Sequence, residues 1–323
     1  MAGSPLHLLP SLLEGPMRAF QRAFGPRGMA WLFLAPNLIV FGTFTFLPIL
    51  LNLGYATTGG PNILLGERDF VGAENFRSLL SCTSYLDPSS CERDLFWRAV
   101  WNTGLFVVLQ VTGMILLSLL TALVLNREIR ARGFFRAVFF FPVLLSPVVV
   151  ALIWKWILQR EGILNAWLLG MGWEPTNWLL DANWAFFWIV CVSIWAHMGF
   201  FTLILLAGLQ AIPKDIYEAA EMDSASPWRT FRRITLPLLM PNMLVVLVLA
   251  LIKGVQTFDE VFVLTGGGPG SATMLVIHYI YQTGFSSQPR IPGLAAAASI
   301  LLALVLLVLT LVQLRLNRRS YDG

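Results

Sequence analysis

The sequence predicts an all-α integral membrane protein with six transmembrane helices and a helical loop on its cytoplasmic side. Three observations carry that prediction. Hydrophobic residues make up 57% of the chain and charged residues only 12%, too little charged surface for a soluble domain of 323 residues. Six apolar segments approach the ~20 residues that a helix needs to cross a hydrocarbon core. Lysine and arginine gather in alternate connecting segments, which gives the chain a direction across the bilayer.

Residues 1–28 read as a cytoplasmic tail. Pro5, Pro10, Gly15, Pro16 and Pro26 break it, and no long apolar core follows an early basic patch, so a signal peptide is not expected. Leu12, Leu13, Phe20 and Phe24, beside Arg18 and Arg22, fit an amphipathic segment on the membrane surface; a disordered tail is the other reading. A membrane domain follows over 29–315, with spans at 29–53, 101–125, 136–158, 184–208, 238–263 and 293–315. Residues 316–323 form a second cytoplasmic tail. Pro36, Pro48, Pro142 and Pro147 fall inside spans, where neighbouring helices can re-satisfy the carbonyls they free.

Orientation follows from the basic residues. One side carries Arg18, Arg22 and Arg27, then Arg127, Arg130 and Arg132, then Lys214, Arg229, Arg232 and Arg233, then Arg315, Arg318 and Arg319. The other side carries Arg68, Arg77, Arg93, Arg98, Arg160 and Arg290, mostly mixed with acids. The first side is therefore cytoplasmic, and both termini lie on it. Trp97, Trp101, Trp154, Trp156, Trp184 and Trp188 stand near span ends, as interfacial anchors do. The isoelectric point near 9.2 does not indicate a nucleic-acid partner, because the cations form no single patch interleaved with aromatics.

Cys191 lies in an apolar run and reads as a small core residue. Cys82 and Cys91 flank a polar external stretch, where an oxidising compartment allows a disulfide and two free thiols are equally compatible with the spacing.

The most informative connection runs from Ala211 to Pro237. Pro213 can open a helix, Lys214 to Met222 favours one, and Ala219 and Ala220 leave a smooth surface for another protein. After a turn at Asp223 to Pro227, Trp228, Phe231 and Ile234 recur at helical spacing and lead into the fifth span. Ordinary helix connections take only about 2–8 residues.

The string Tyr217-Glu218-Ala219-Ala220-x-x-Asp223-x-Ala225-Ser226, with Phe231-x-x-Ile234-x-Leu236-Pro237 after it, resembles the "EAA" loop of permease subunits of ATP-binding-cassette importers. The likeness is closest to the carbohydrate-uptake branch, typified by maltose and glycerol-3-phosphate permeases. Further family-like pieces stand in order at Gly72-x-x-Asn75-Phe76, Asn102-Thr103, Phe141-Pro142, Ile153-Trp154-Lys155-Trp156, Ala207-Gly208-Leu209-Gln210 and Leu264-Thr265-Gly266-Gly267-Gly268-Pro269. The resemblance implies a type I importer permease fold in a bacterial inner membrane, working by alternating access. Tyr217, Glu218, Ala219, Ala220, Asp223, Ser224 and Ala225 would then couple the spans to an ATPase. It also implies a second homologous permease, two ATPase subunits that hold ATP and magnesium, an external solute-binding protein, and no cofactor on this chain. Ser224 stands where the family usually has glycine, so the turn must bend without glycine's freedom at positive φ.

Enzyme chemistry is not expected. Gly266-Gly267-Gly268-Pro269-Gly270-Ser271 lacks the lysine of a phosphate-binding loop and reads as an external turn. His7, His197 and His278 are scattered without metal-ligand partners. No nucleophile elbow or carboxylate pair suggests an intramembrane enzyme, and no filter-like repeat suggests a channel.

Polar residues inside spans mark a candidate solute path. Lys253, Gln256, Thr257 and Glu260 would share one face of a continuous fifth helix, and Ser193, His197 and Phe200 form a stripe on the fourth. They either line the path or pair internally, Lys253 with a carboxylate of the partner permease and His197 between helices. An unpaired Lys253 would suit an anionic sugar. An ion-coupled secondary carrier is the alternative function.

Overall fold

A computed structural model describes the backbone of residues 8–321 and the side chains of residues 21–313 and Arg315. Residues 1–7 with His7, residues 322–323, and the side chains of Leu12, Leu13, Arg18 and Phe20 lie outside that description. Among the described residues the chain is helical, and antiparallel pairing is confined to isolated bridges at Thr58–Phe70 and Cys82–Cys91. It divides into two units between Tyr55 and Ala56.

The first unit contains α1 (Leu8–Phe41) and leads into α2 (Leu47–Ala56) through a π-helical turn, Gly42–Phe46. No helix end marks the expected boundary at residue 28; the one non-helical residue is Gly25, at φ 66°. The wide turn sits just before Pro48, whose missing N–H interrupts the regular hydrogen-bond ladder. From Gln21 to Ala56 this helix is long and apolar enough to cross a membrane.

The second unit follows with α3 (Glu74–Leu80), α4 (Asp94–Asn126), α5 (Arg132–Phe140), α6 (Pro147–Leu158), α7 (Ile163–Gly170) and α8 (Ala182–Gln210). Next come α9 (Lys214–Met222), α10 (Pro227–Thr230), α11 (Leu236–Val255), α12 (Asp259–Leu264), α13 (Val276–Tyr281) and α14 (Pro292–Tyr321). Helices α4, α8, the α10–α11 run and α14 each contain a membrane-length apolar stretch. A second π-helical turn, Phe231–Thr235, joins α10 to α11 and again precedes a proline, Pro237.

Two expected spans are not single helices. Residues 136–158 are interrupted by a 3₁₀ turn at Phe141–Leu144, and the chain bends by 100° between Arg132–Leu144 and Pro147–Gly170. Pro142 and Pro147 account for the break, since each removes a donor from the helical ladder. The segment 238–263 stops at Val255 and restarts as α12 after Gln256 to Phe258, whose backbone is not helical.

The core forms where α4, α8 and α11 pack together around Met114, Leu205, Leu239, Val246 and Ala250. A second cluster gathers tryptophans that the sequence places at membrane edges. Trp188 packs 5.7 Å from Trp154 and 6.0 Å from Trp178, ring centre to ring centre, while Trp178 donates Nε1–H to Asn165 Oδ1 at 3.0 Å. The bent segment reaches α8 at Gly199, where an added Cβ would collide with the Phe139 carbonyl. Gly199→Ala is therefore expected to lower stability by about 1–3 kcal/mol, read as a fall in the melting temperature of the purified protein in detergent. An unchanged midpoint would mean that the two segments can separate freely.

Candidate functional site

The connection after α8 is built from local rules. Pro213 is extended, at φ −59° and ψ 137°, and directs the chain into α9. Asp215 in the first turn suits the positive end of the helix dipole. At the other end, Ser224 N–H donates to the Glu221 carbonyl and Ala225 N–H to the Ala220 carbonyl, each at 2.9 Å. This paired closure is a Schellman motif, and it requires a left-handed residue after the helix. Ser224 is that residue, at φ 53°. Its β-carbon makes the conformation about 1–2 kcal/mol more costly than a right-handed one. Ser226 then caps α10 by accepting from Arg229 N–H at 3.4 Å.

One side of α9 is tied down. Tyr217 Oη lies 3.1 Å from Thr235 Oγ1, just before α11. Ile216, Tyr217 and Phe231 pack on the α4–α8–α11 core, and Ala220 is buried. The opposite side stays open, with Glu218, Ala219, Glu221, Met222 and Asp223 exposed. A cavity of about 570 Å³ runs beside α9, lined by Asp215, Ala219, Asp223, Arg229 and Arg233 among others. The seven residues singled out in this loop therefore divide. Tyr217 and Ala220 face inward, Ala225 is half-buried, and Glu218, Ala219, Asp223 and Ser224 face outward.

Near the middle of α8 and toward the far end of α11 lies a polar cluster inside the bundle. Glu260, 1% exposed, places Oε1 3.4 Å from His197 Nε2 and 3.5 Å from Lys253 Nζ. His197 Nδ1–H donates to the Ser193 carbonyl at 2.9 Å, and the buried Gln110 of α4 donates to Ser193 Oγ at 2.7 Å. The break after Val255 makes this arrangement possible. A continuous helix would separate residues 253 and 260 by about 10.5 Å along its axis; the break lets both reach one point. Lys155 Nζ donates to the Val263 carbonyl at 3.1 Å and so ties α12 to α6. Gly254 leaves room for Gln110, whose Oε1 would lie only 2.6 Å from an added Cβ.

The expected polar face on one continuous fifth helix is therefore replaced by a cluster across a break. Ser193, His197, Lys253 and Glu260 come together. Thr257 is buried but donates to the Lys253 carbonyl at 2.9 Å, while Gln256 and Phe200 are exposed and stand outside the cluster. Within the chain, the carboxylate beside Lys253 is that of Glu260. Gln110 is not among the residues that the sequence singles out, although a lone amide in the apolar run Leu105 to Val111 is the available signal.

At the far end, Cys82 and Cys91 form a disulfide that closes a small hairpin, in which Thr83 N–H donates to the Ser90 carbonyl and Glu92 N–H to the Ser81 carbonyl. Hydrogen bonds from the Ser89 hydroxyl and backbone hold the Asp87 carboxyl below the ordinary aspartate range. Trp101 Nε1–H donates to the Tyr85 carbonyl at 3.0 Å. Asn102 Nδ2 donates to the carbonyls of Ser271 and Met274, fastening the glycine-rich turn to α4. Gly266, Gly267 and Gly270 all have positive φ there, a conformation that favours glycine.

Residues 114–320 match the family described as "Binding-protein-dependent transport system inner membrane component". The chain is 35% identical over 299 residues to the trehalose/maltose transport system permease protein MalF of Thermococcus litoralis, covering 91% of this chain and 95% of that protein. It is 32% identical over 304 residues to the arabinooligosaccharides transport system permease protein AraP of Bacillus subtilis, covering 93% and 91%. Among solved structures, it resembles a chain of a bacterial ABC transporter involved in the import of the acidic polysaccharide alginate. The TM-score is 0.74 at 25% identity, covering 94% of this chain and 98% of that one.

Two outcomes follow from the geometry. Ser224→Gly is expected to preserve the turn, whereas Ser224→Val should destabilise it by about 1–2 kcal/mol, measured by hydrogen exchange of the Ala225 amide; equal protection in both would contradict the left-handed cap. Glu260→Leu alone should cost about 3 kcal/mol, and adding Lys253→Met should recover part of that loss. Additive losses in a thermal-unfolding double-mutant cycle would show that the two groups do not interact.

Proposed function

Because the chain belongs to the family of binding-protein-dependent transport system inner membrane components, a family of transport components rather than enzymes, we propose that it is the permease subunit of an ATP-driven carbohydrate importer. The related permeases named for trehalose/maltose and arabino-oligosaccharides support the choice of solute class. In this reading both termini are cytoplasmic, a second homologous permease completes the translocation path, and an external binding protein delivers the sugar. ATP and magnesium are held by two separate ATPase subunits.

The observation that carries the mechanism is that α8 and α11, which flank the helical loop, also carry Ser193, His197 and Lys253 of the buried cluster. From His197 to Gln210 the rise along α8 is about 20 Å, and from Thr235 to Lys253 along α11 about 27 Å. An ATPase that moves α9 would push on α11 through Tyr217 and Thr235 and on α8 through the short link at Ala211 to Pro213. Exposed Glu218 and Ala219 supply the contact surface, and the buried side of α9 transmits the displacement. The helices would then rock around the cluster, exposing the path to one side of the membrane at a time.

The solute class can be narrowed. Glu260 stands beside Lys253, so the cation expected to attract an anionic sugar is already compensated. A neutral carbohydrate, recognised through hydroxyl groups by Ser193, His197 and Gln110, fits that charge balance better. The ion-coupled secondary carrier is disfavoured by membership of a binding-protein-dependent family.

The test is uptake by the reconstituted complex in liposomes, with ATP supplied to the ATPase and matched neutral and anionic sugars outside. Glu218→Lys is expected to reduce ATP-driven uptake about tenfold or more, within the range of ordinary coupling energies. Lys253→Ala should impair neutral and anionic sugars alike, because it strands Glu260. Uptake that persists without ATP, or that ignores Glu218→Lys, would replace the importer with the carrier. Selective loss of the anionic sugar in Lys253→Ala would restore a charged solute.

A further inference from the structure

Two arginines on α5 converge on one neutral oxygen. With the Gln210 amide oriented so that its oxygen faces them, Oε1 accepts from Arg132 Nη2 at 2.7 Å and from Arg136 Nη2 at 2.6 Å. Among the described residues no carboxylate lies within ion-pair distance of either guanidinium. Both Nε atoms are buried without an acceptor. Two permanent charges thus share a single uncharged partner, an arrangement that calls for an anion.

The surroundings identify its chemistry. Residues 127–136 hold Arg127, Arg130, Arg132 and Arg136 against one acid, Glu128. The same short helix exposes Phe134, Phe135, Val138 and Phe139, with Phe134 66% exposed. A basic edge beside an apolar one, at the end of membrane-length helices, matches a lipid with an anionic head and hydrocarbon tails. A guanidinium binds phosphate through two parallel hydrogen bonds. A zwitterionic lipid would bring its own cation against the arginines, so a net negative headgroup is favoured.

We propose that Arg132, Arg136 and Gln210 form a binding site for the phosphodiester headgroup of an anionic phospholipid, with its acyl chains lying along the α5 phenylalanines. The choice of the cytoplasmic leaflet rests on the topology proposed above; the ligand assignment does not.

The full chain in mild detergent would be equilibrated with equal amounts of phosphatidylglycerol and phosphatidylethanolamine, and retained lipid read by native mass spectrometry. Wild type is expected to prefer phosphatidylglycerol, with about fivefold contributed by each arginine. The Arg132→Gln/Arg136→Gln variant should lose that preference. Equal retention of the two lipids by wild type, or a preference that survives in the double variant, overturns the proposal. Displacement of phosphatidylglycerol by excess inorganic phosphate, with no preference between lipids remaining, would assign the site to a free anion and overturn the lipid. Should the double variant fail to fold, Arg136→Lys keeps the charge but loses the planar fork, and should weaken the preference; an unchanged preference again overturns it. Retention is read without transport, so failure here leaves the importer reading standing, and failure of ATP-driven uptake leaves this site standing.

Discussion

A carboxylate that is 1% exposed among membrane-spanning helices needs compensation from its neighbours, and that requirement shapes the second unit. Removing one member of a buried ion pair commonly costs about 3–5 kcal/mol. Lys253 and His197 both stand beside Glu260, yet neither carboxylate oxygen makes a close hydrogen bond. Glu260 is therefore held by charge and packing, while Ser193 ties His197 and Gln110 together by short hydrogen bonds. The break after Val255, the anchor from Lys155 to α12 and the bare backbone at Gly254 all serve to bring these groups together.

The cluster and the α9 loop share their supports. Helix α8 carries Ser193 and His197 and ends at Gln210; α11 begins beside the Tyr217–Thr235 contact and carries Lys253. Small residues allow these helices to approach their neighbours closely. Besides Gly199, Gly208 meets Asn242 and Leu239 of α11, where an added Cβ would fall within 2.8 Å of atoms of both. Close packing of this kind favours movement of helices as bodies over independent side-chain adjustment. In the proposed importer, that stiffness lets a displacement at α9 reach the cluster.

Much of this architecture is legible in sequence because apolar length and charge asymmetry are one-dimensional signals. The α9 boundaries follow from Pro213 before the helix and the helix-favouring Lys214 to Met222. What escapes are the breaks. Lys253, Gln256, Thr257 and Glu260 have the spacing of one helical face, and nothing in that spacing reveals the non-helical residues between α11 and α12. Pro142 and Pro147 announce an irregularity but neither a 100° bend nor the close approach of Phe139 to Gly199 of α8. The Cys82–Cys91 pairing is likewise a matter of geometry that spacing alone leaves open. Arg132 counts in sequence as one more charge on the inner side, while its convergence with Arg136 on Gln210 exists only once α5 turns across the end of α8.

That convergence bears on how the loop is held. Gln210 ends α8 only a few residues before α9 begins, and the two guanidiniums grip it from α5. At the other end of the loop, Tyr217 grips Thr235, at the entry to α11. The loop that holds α9 is thus framed by polar contacts from α5 to the end of α8 and from α9 to the entry of α11, while Glu218 and Ala219 remain exposed between them. A loop anchored on only one side could swing without moving the bundle. With both roots fixed, force on the exposed face of α9 is divided between two membrane-length helices that meet again at Glu260. A ligand that strengthened the α5 anchor would stiffen the same frame from the membrane side.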